Sequence, residues 1–350
     1  MWCHSNPMQK RSIVQILFLS AIWGVSFLLI RIAGQSFPPF WIALMRSGLG
    51  ALLLWAVLFG TGHRPPARAN LRWLLLVGLF NNAIPFTCFA WGERVVPSNT
   101  AAVLNATTPI FTLLLGVMVQ RTRVAWNVIV GVVLGFAGVL LVVLNETAGG
   151  EVQVSRGVFF RGVALVTAGA LGYAIATLIA KAKLQGVDPI GIAASQLGLA
   201  GLMVLPLAAF GPHPVHLHAS TMLAVAVLGF AGSGLAYLLF FHILRTVPAT
   251  HAVAVTYLLP LWGVFWGAVA HEAIGLLTYM GVAVVITGLA LMNLRRAQVV
   301  SAAPLVAARQ PVDGVTRRLQ GLAERSVDGG GEMVKSSACE SMCVEEAACE

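Results

Sequence analysis

The chain has 350 residues, 58% of them apolar and only 10% charged, with a mean hydropathy of +0.85. Soluble domains are about 25% charged, so a cytosolic enzyme, a nucleic-acid binder and a disulfide-stapled secreted domain are all excluded. The net charge of +9 is unevenly spread: residues 1–296 hold 17 Lys and Arg against 5 acids (Glu93, Glu146, Glu151, Asp188, Glu272), whereas residues 297–350 hold 5 against 8.

Residues 1–12 form a short lead ending in the basic pair Lys10-Arg11. The apolar stretch that follows exceeds a signal-peptide core and no small-residue cleavage site comes after it, so it reads as a membrane span. A bilayer core takes about 20 apolar residues as helix, and lipid leaves the backbone no other way to satisfy its polar groups. In chain order the predicted spans are 13–33, 40–59, 71–91, 98–119, 126–145, 158–180, 189–209, 221–242, 249–270 and 274–294. Turn chemistry marks the breaks: Ser36-Phe37-Pro38-Pro39, His63-Arg64-Pro65-Pro66, Val96-Pro97-Ser98-Asn99 and Gly211-Pro212-His213-Pro214. The expected fold is an all-α membrane protein of ten transmembrane helices. Residues 297–350 lack apolar periodicity and are expected to be a disordered cytoplasmic tail. The cysteines form no framework: Cys3 is near the start, Cys88 lies in an apolar run, and Cys339, Cys343 and Cys349 are spaced too irregularly for a CxxC zinc site.

Lys and Arg in the loops set orientation. Twelve fall on the side of the N-terminus (Lys10, Arg11, Arg64, Arg68, Arg72, Arg121, Arg123, Lys181, Lys183, Arg245, Arg295, Arg296) and four on the other (Arg31, Arg94, Arg156, Arg161), with Arg46 inside the second span. Both termini are therefore expected in the cytoplasm.

The chain also repeats itself. A shift of 150 pairs Trp23 with Tyr173, Arg31 with Lys181, Arg46 with Gln196, Gly48 with Gly198, Gly131 with Gly281 and Gly138 with Gly288. A shift of 151 pairs Gly78 with Gly229, Phe86 with Tyr237, Phe89 with Phe240, Arg94 with Arg245, Pro97 with Pro248 and Pro109 with Pro260. Each unit has five spans, so the second must enter the membrane upside down relative to the first. Two similar, oppositely oriented units have two near-isoenergetic arrangements, one open to each side, which is the design of secondary transporters.

Several motifs carry a more specific likeness. They are Ile22-Trp23-Gly24-Val25-Ser26-Phe27 followed by Arg31, Ala43-Leu44-Met45-Arg46, Val96-Pro97-Ser98-Asn99-Thr100-Ala101-Ala102 followed by Pro109, and the closing glycines Gly131, Gly135 and Gly138 with Gly281 and Gly288. On these residues the chain resembles the EamA-type branch of the drug/metabolite transporter superfamily, with EamA-like repeats over 13–145 and 158–295. The resemblance implies a transporter but no substrate. The pattern places a Glu about nine residues before the closing glycine of each half; the second half has Glu272 there and the first has Thr122.

Polar groups inside a membrane are expensive and are candidates for function. Arg46 either snorkels to the interface or faces substrate, and Gln196 is its mirror. Asn81, Asn82, Asn105, Thr256 and Tyr257 sit at mid-depth in repeat-related spans, where transporter sites form, although helix-to-helix hydrogen bonding explains any one of them singly. Trp23 and Tyr173 are expected as cavity walls for a partly apolar organic substrate, extended by Phe86 and Tyr237. His242, His251 and His271 fall near helix ends, and Glu272 lies in a tight turn, solvated or capping a helix. The spacings Gly131-x-x-x-Gly135 and Gly263-x-x-x-Gly267 fit packing within the bundle.

No Walker loop, HExxH, GxSxG or dinucleotide fingerprint is present. No cofactor, metal or catalytic residue is expected, and transport must run on an existing gradient. The expected function is export of a small organic metabolite, amino acid or drug across the cell membrane by alternating access. Its partners are that solute and the lipid bilayer, with no nucleic acid, as a monomer or homodimer. The alternative is a membrane-embedded enzyme acting on a lipid-linked substrate through the His residues.

Overall fold

The computed structural model describes residues 10–121, 124–148, 154–214, 216–247 and 254–301. The tail beyond residue 301, Thr122, Pro248, His251, the first residues of the ninth span, Cys3 and the tail cysteines lie outside the described residues. Among those described there is no strand. The helices are α1 (Lys10–Ala33), α2 (Pro39–Gly60), α3 (Arg68–Gly92), α4 (Ser98–Gln120), α5 (Trp126–Ala148), α6 (Arg156–Lys183), α7 (Pro189–Phe210), α8 (Ala219–Thr246), α9 (Ala254–Val269) and α10 (Leu276–Ser301). The first eight contain segments long and apolar enough to cross a membrane; α9 and α10 contribute the shorter apolar stretches Val255–Val269 and Leu276–Met292. Phe210, Val119, Leu276, Trp126 and Met118 are exposed on their outer faces, an apolar surface suited to lipid rather than water.

Local chemistry fixes the helix starts. Pro39 and Pro189 occupy first-turn positions, where a missing N–H costs nothing. Asp188 caps α7, accepting from the Ile190 and Gly191 N–H groups at 2.8 and 3.0 Å.

Three spans that read as continuous in the sequence are not regular helices. The α3 helix contains a π-helical turn at Leu79–Ala83 and α8 one at Phe230–Leu235, equivalent places under the shift of 151. Helix α4 breaks between Ser98–Asn105 and Thr108–Gln120. In α3 and α4 a proline explains the irregularity. Pro85 cannot donate to the carbonyl of Asn81, nor Pro109 to that of Asn105, so the helix opens just ahead of each ring. In α8 the segment contains Gly232 and Gly234, which resist backbone distortion least.

The packing pairs the halves reciprocally. Helix α1 packs on α8 and α9, and α6 on α3 and α4; α2 lies on α7 and α8, and α7 on α2 and α3. At the α5–α10 crossing, a Cβ added to Gly131 would lie 2.5 Å from the carbonyl oxygen of Gly288, and one at Gly281 would lie 2.6 Å from that of Gly138. Exchange of the halves turns the first contact into the second. Gly135 packs on Ile110, Gly263 on Ala102 and Gly267 on Asn99, so both four-residue glycine spacings face the bundle interior.

Candidate functional site

A cavity of about 420 Å³ lies among α1, α2, α3, α4, α6, α7, α8 and α9. Nine sequence-singled residues line it together: Trp23, Arg46, Asn81, Phe86, Asn105, Tyr173, Gln196, Tyr237 and Thr256. The helix irregularities put several of them there. Asn81 sits in the α3 π turn and Ser233 in that of α8, while Asn105 and Thr256 each precede a proline, Pro109 and Pro260, by four residues. Neither proline has an N–H to donate to the carbonyl four residues before it, so the regular helical bond from Pro109 and from Pro260 is missing at equivalent depths.

Two of the expected residues fall outside the lining. Asn82 is fully buried behind Asn81, with its Nδ2 3.5 Å from the Tyr237 hydroxyl. Tyr257 packs with Val103, Ile110 and Val285 on the α4–α10 side. The reason is the same in both: neighbouring helical residues point about 100° apart, and Asn81 and Thr256 take the cavity face.

Arg46 is the cavity's cation. It does not snorkel: it is 8% exposed, its Nε donates to Ser233 Oγ at 3.1 Å, and its guanidinium lies 4.1 Å from the centroid of the Phe86 ring. Asn81 Nδ2 donates to Tyr237 Oη at 2.8 Å and to Gln196 Oε1 at 3.3 Å, so the neutral amides and the tyrosine form one hydrogen-bonded chain. Aromatic contacts build the walls: Trp23 with Phe240 at 5.5 Å, Tyr173 with Phe89 at 6.0 Å and Tyr237 with Phe241 at 6.0 Å between ring centroids. No acid lines this cavity among the described residues.

A second, polar vestibule of about 700 Å³ lies between the cavity and the bundle end opposite the N-terminus, sharing Ile30 with the cavity. Glu272 organises it. Its carboxylate accepts from Ser98 N at 3.0 Å, Ser98 Oγ at 2.7 Å and Asn99 N at 3.1 Å, and pairs with Arg31. Glu272 therefore caps α4 from the far half of the chain, a capping role rather than a solvated one. Glu146 accepts from Thr100 Oγ1 at 2.9 Å. His271 lines the vestibule and is exposed, as is His242 elsewhere.

Sequence reasoning passed over Glu93. It follows the last residue of α3 and is 5% exposed, with both carboxylate oxygens buried and without a hydrogen-bond partner among the described residues. Burial pushes its proton affinity up, Glu272 adds to this, and Arg46 and Arg31 oppose it less strongly. Glu93 is one of only five acids in the membrane body, and that scarcity was the available signal.

The EamA-like transporter family matches the chain twice, over residues 10–144 and 160–294, and the chain belongs to that family. Among its relatives is the uncharacterized inner membrane transporter YedA of Escherichia coli K12, 28% identical over 79% of this chain and 88% of that protein. Another is a probable terminal-alkyne amino-acid exporter of Streptantibioticus cattleyicolor, 24% identical over 72% of this chain and 83% of that one. A solved crystal structure shares the fold with a TM-score of 0.59 at 20% identity, covering 83% of this chain and 99% of the other. The protein is thus a multi-pass membrane protein of a transporter family, and the names of its relatives point to transport rather than catalysis.

Proposed function

We propose that the chain is a secondary transporter that exports a small organic solute by alternating access. Ten membrane-spanning helices would form two inverted five-helix repeats, both termini in the cytoplasm, and the solute would bind among Trp23, Arg46, Phe86, Tyr173, Gln196 and Tyr237. The observation that carries this reading is the cavity's composition. Repeat-related residues line it in pairs: Trp23 with Tyr173, Arg46 with Gln196, Phe86 with Tyr237, Phe89 with Phe240, and Asn105 with Thr256. A site built by both halves can pass from one face to the other when the halves rock.

Further observations support the arrangement. The reciprocal glycine contacts of α5 and α10 are those a two-fold axis generates. His63 and Asp188 are in contact, so the α2–α3 and α6–α7 loops share one end of the bundle, as an inverted pair of five-span units requires. The lining runs from Ile30 and Phe89 at the vestibule end to Ala180 and Ile192 near that other end, so residues toward both ends of the bundle contribute to it. The relative described as an amino-acid exporter makes export of an organic solute a coherent reading.

Counterflow in proteoliposomes tests it. Protein loaded with a broad panel of unlabelled metabolites should accelerate uptake of at least one labelled member, and mixed aromatic replacements at Trp23 and Tyr173 should slow it. Folded protein that gives no counterflow with any member overturns the proposal.

A further inference from the structure

The geometry points to a carboxylate site: the central cavity binds a small monocarboxylate with an apolar or aromatic body, held end-on by the two terminal nitrogens of Arg46. This names the solute class of the transport reading and rests on that reading only for its physiological role.

The argument starts from the cost of the arginine. A buried charge is retained when something pairs with it. Arg46 has no ion pair among the described residues, and the ion pairs formed there are Arg31 with Glu272 and His63 with Asp188. Glu93 is the acid whose charge reaches Arg46, yet it lies outside the cavity lining and makes no hydrogen bond to the guanidinium. Ser233 and Phe86 fix the group without neutralising it. With Nε committed to Ser233 and one face of the guanidinium near Phe86, the Nη1 and Nη2 edge remains, and that edge matches the two oxygens of a carboxylate.

The remaining lining selects the class further. It offers neutral amides and aromatic rings with no second cation. A phosphate monoester carries about −1.5 to −2 at neutral pH, which one guanidinium leaves partly uncompensated in an apolar cavity. A cationic solute would meet Arg46 with no acid in the lining to offset it. The aromatic walls and the volume of about 420 Å³ suit a body of one or two rings.

Matched pairs differing only in the acid group test this on the full chain in detergent. Thermal stabilisation is titrated with phenylacetate against phenylacetamide, and with 3-phenylpropionate against 3-phenylpropanamide. Each carboxylate should bind at least about tenfold more tightly than its amide, and Arg46→Gln should shrink that ratio below about threefold. Arg46→Lys, which keeps the charge but not the fork, should leave an intermediate ratio. The wild-type ratios stand even where Arg46→Gln does not fold. Carboxylates that stabilise no better than their amides, whether both or neither bind, overturn the site, as does a ratio that Arg46→Gln leaves intact. Counterflow with the same compounds separates this site from the transport reading. Carboxylate binding at Arg46 without flux of any solute sinks transport alone, whereas flux of amides or amines equal to that of carboxylates sinks the site alone.

Discussion

Each end of the bundle has an acid that caps a helix and contacts a basic side chain, Arg31 at one end and His63 at the other, but the two do different work. At the vestibule end, Glu272 from the α9–α10 turn caps α4, a helix of the first half, and pairs with Arg31 of α1; its side chain is 6% exposed. At the other end, Asp188 caps its own helix, α7, and reaches His63 with a side chain 27% exposed. The first clasp ties the halves together around a carboxylate shielded from water, although its partner Arg31 is 47% exposed. The second is mainly local and solvated. Where charge is shielded from water and spans the halves, its removal should open the structure; where it is wet, water replaces it.

The largest effect is therefore expected at Glu272. Glu272→Ala removes the cap of α4, the Ser98 contact and the partner of Arg31 together, and should cost about 3 kcal/mol in detergent thermal unfolding. Glu272→Gln, which can still accept a hydrogen bond, should cost less than half of that. If Glu272→Ala unfolds at the wild-type temperature, the two ends are equivalent and the contrast collapses.

Glu93 sharpens the comparison because it shares the vestibule without sharing the clasp. Its folded-state proton affinity is raised, by burial first and Glu272 second. Unfolded, it ionises near about pH 4.3, so above that pH the folded state binds more protons and this residue's contribution to stability falls as pH rises. Glu93→Gln should stabilise the protein by about 1–2 kcal/mol at pH 8 and flatten the slope of Tm between pH 4.5 and 8. A variant whose slope parallels the wild type would mean that the carboxyl is hydrated or paired in solution.

The limits of the sequence lie along the same contrast. Span positions were legible because hydropathy and prolines mark them: residues 40–59 became Pro39–Gly60, and 189–209 became Pro189–Phe210. Most of the cavity residues were legible as polar or aromatic groups at repeat-related depths. Their local geometry was not. A run of apolar residues has the same hydropathy whether a turn closes at i+4 or i+5, so the π turns of α3 and α8 left no trace. Glu93 reads as a loop acid from its neighbours alone; only the tertiary fold covers it, because Gly162 of α6 lets that helix lie directly on Gly92, Val95 and Val96. Glu272 was legible as a capping acid, but the helix it caps is 174 residues away from it in sequence.

The smallest effect is expected at Asp188, and it tests the wet end. Backbone N–H groups of Gly191 and Ile190, with His63, outweigh the opposing effect of burial and hold this carboxyl below its usual range. A depressed folded-state pKa stabilises above the unfolded value, near about pH 3.9, and that contribution is lost as pH falls further. Asp188→Asn keeps a capping oxygen and should cost under about 0.5 kcal/mol at pH 7, while reducing the acid sensitivity below pH 4. Asp188→Ala loses the cap as well and should cost about 1 kcal/mol. His63→Ala, which spares the cap, should fall near Asp188→Asn. Should His63→Ala instead match Glu272→Ala, the α2–α3 loop would be holding the halves together from this end too, and the cavity would be clasped at both ends.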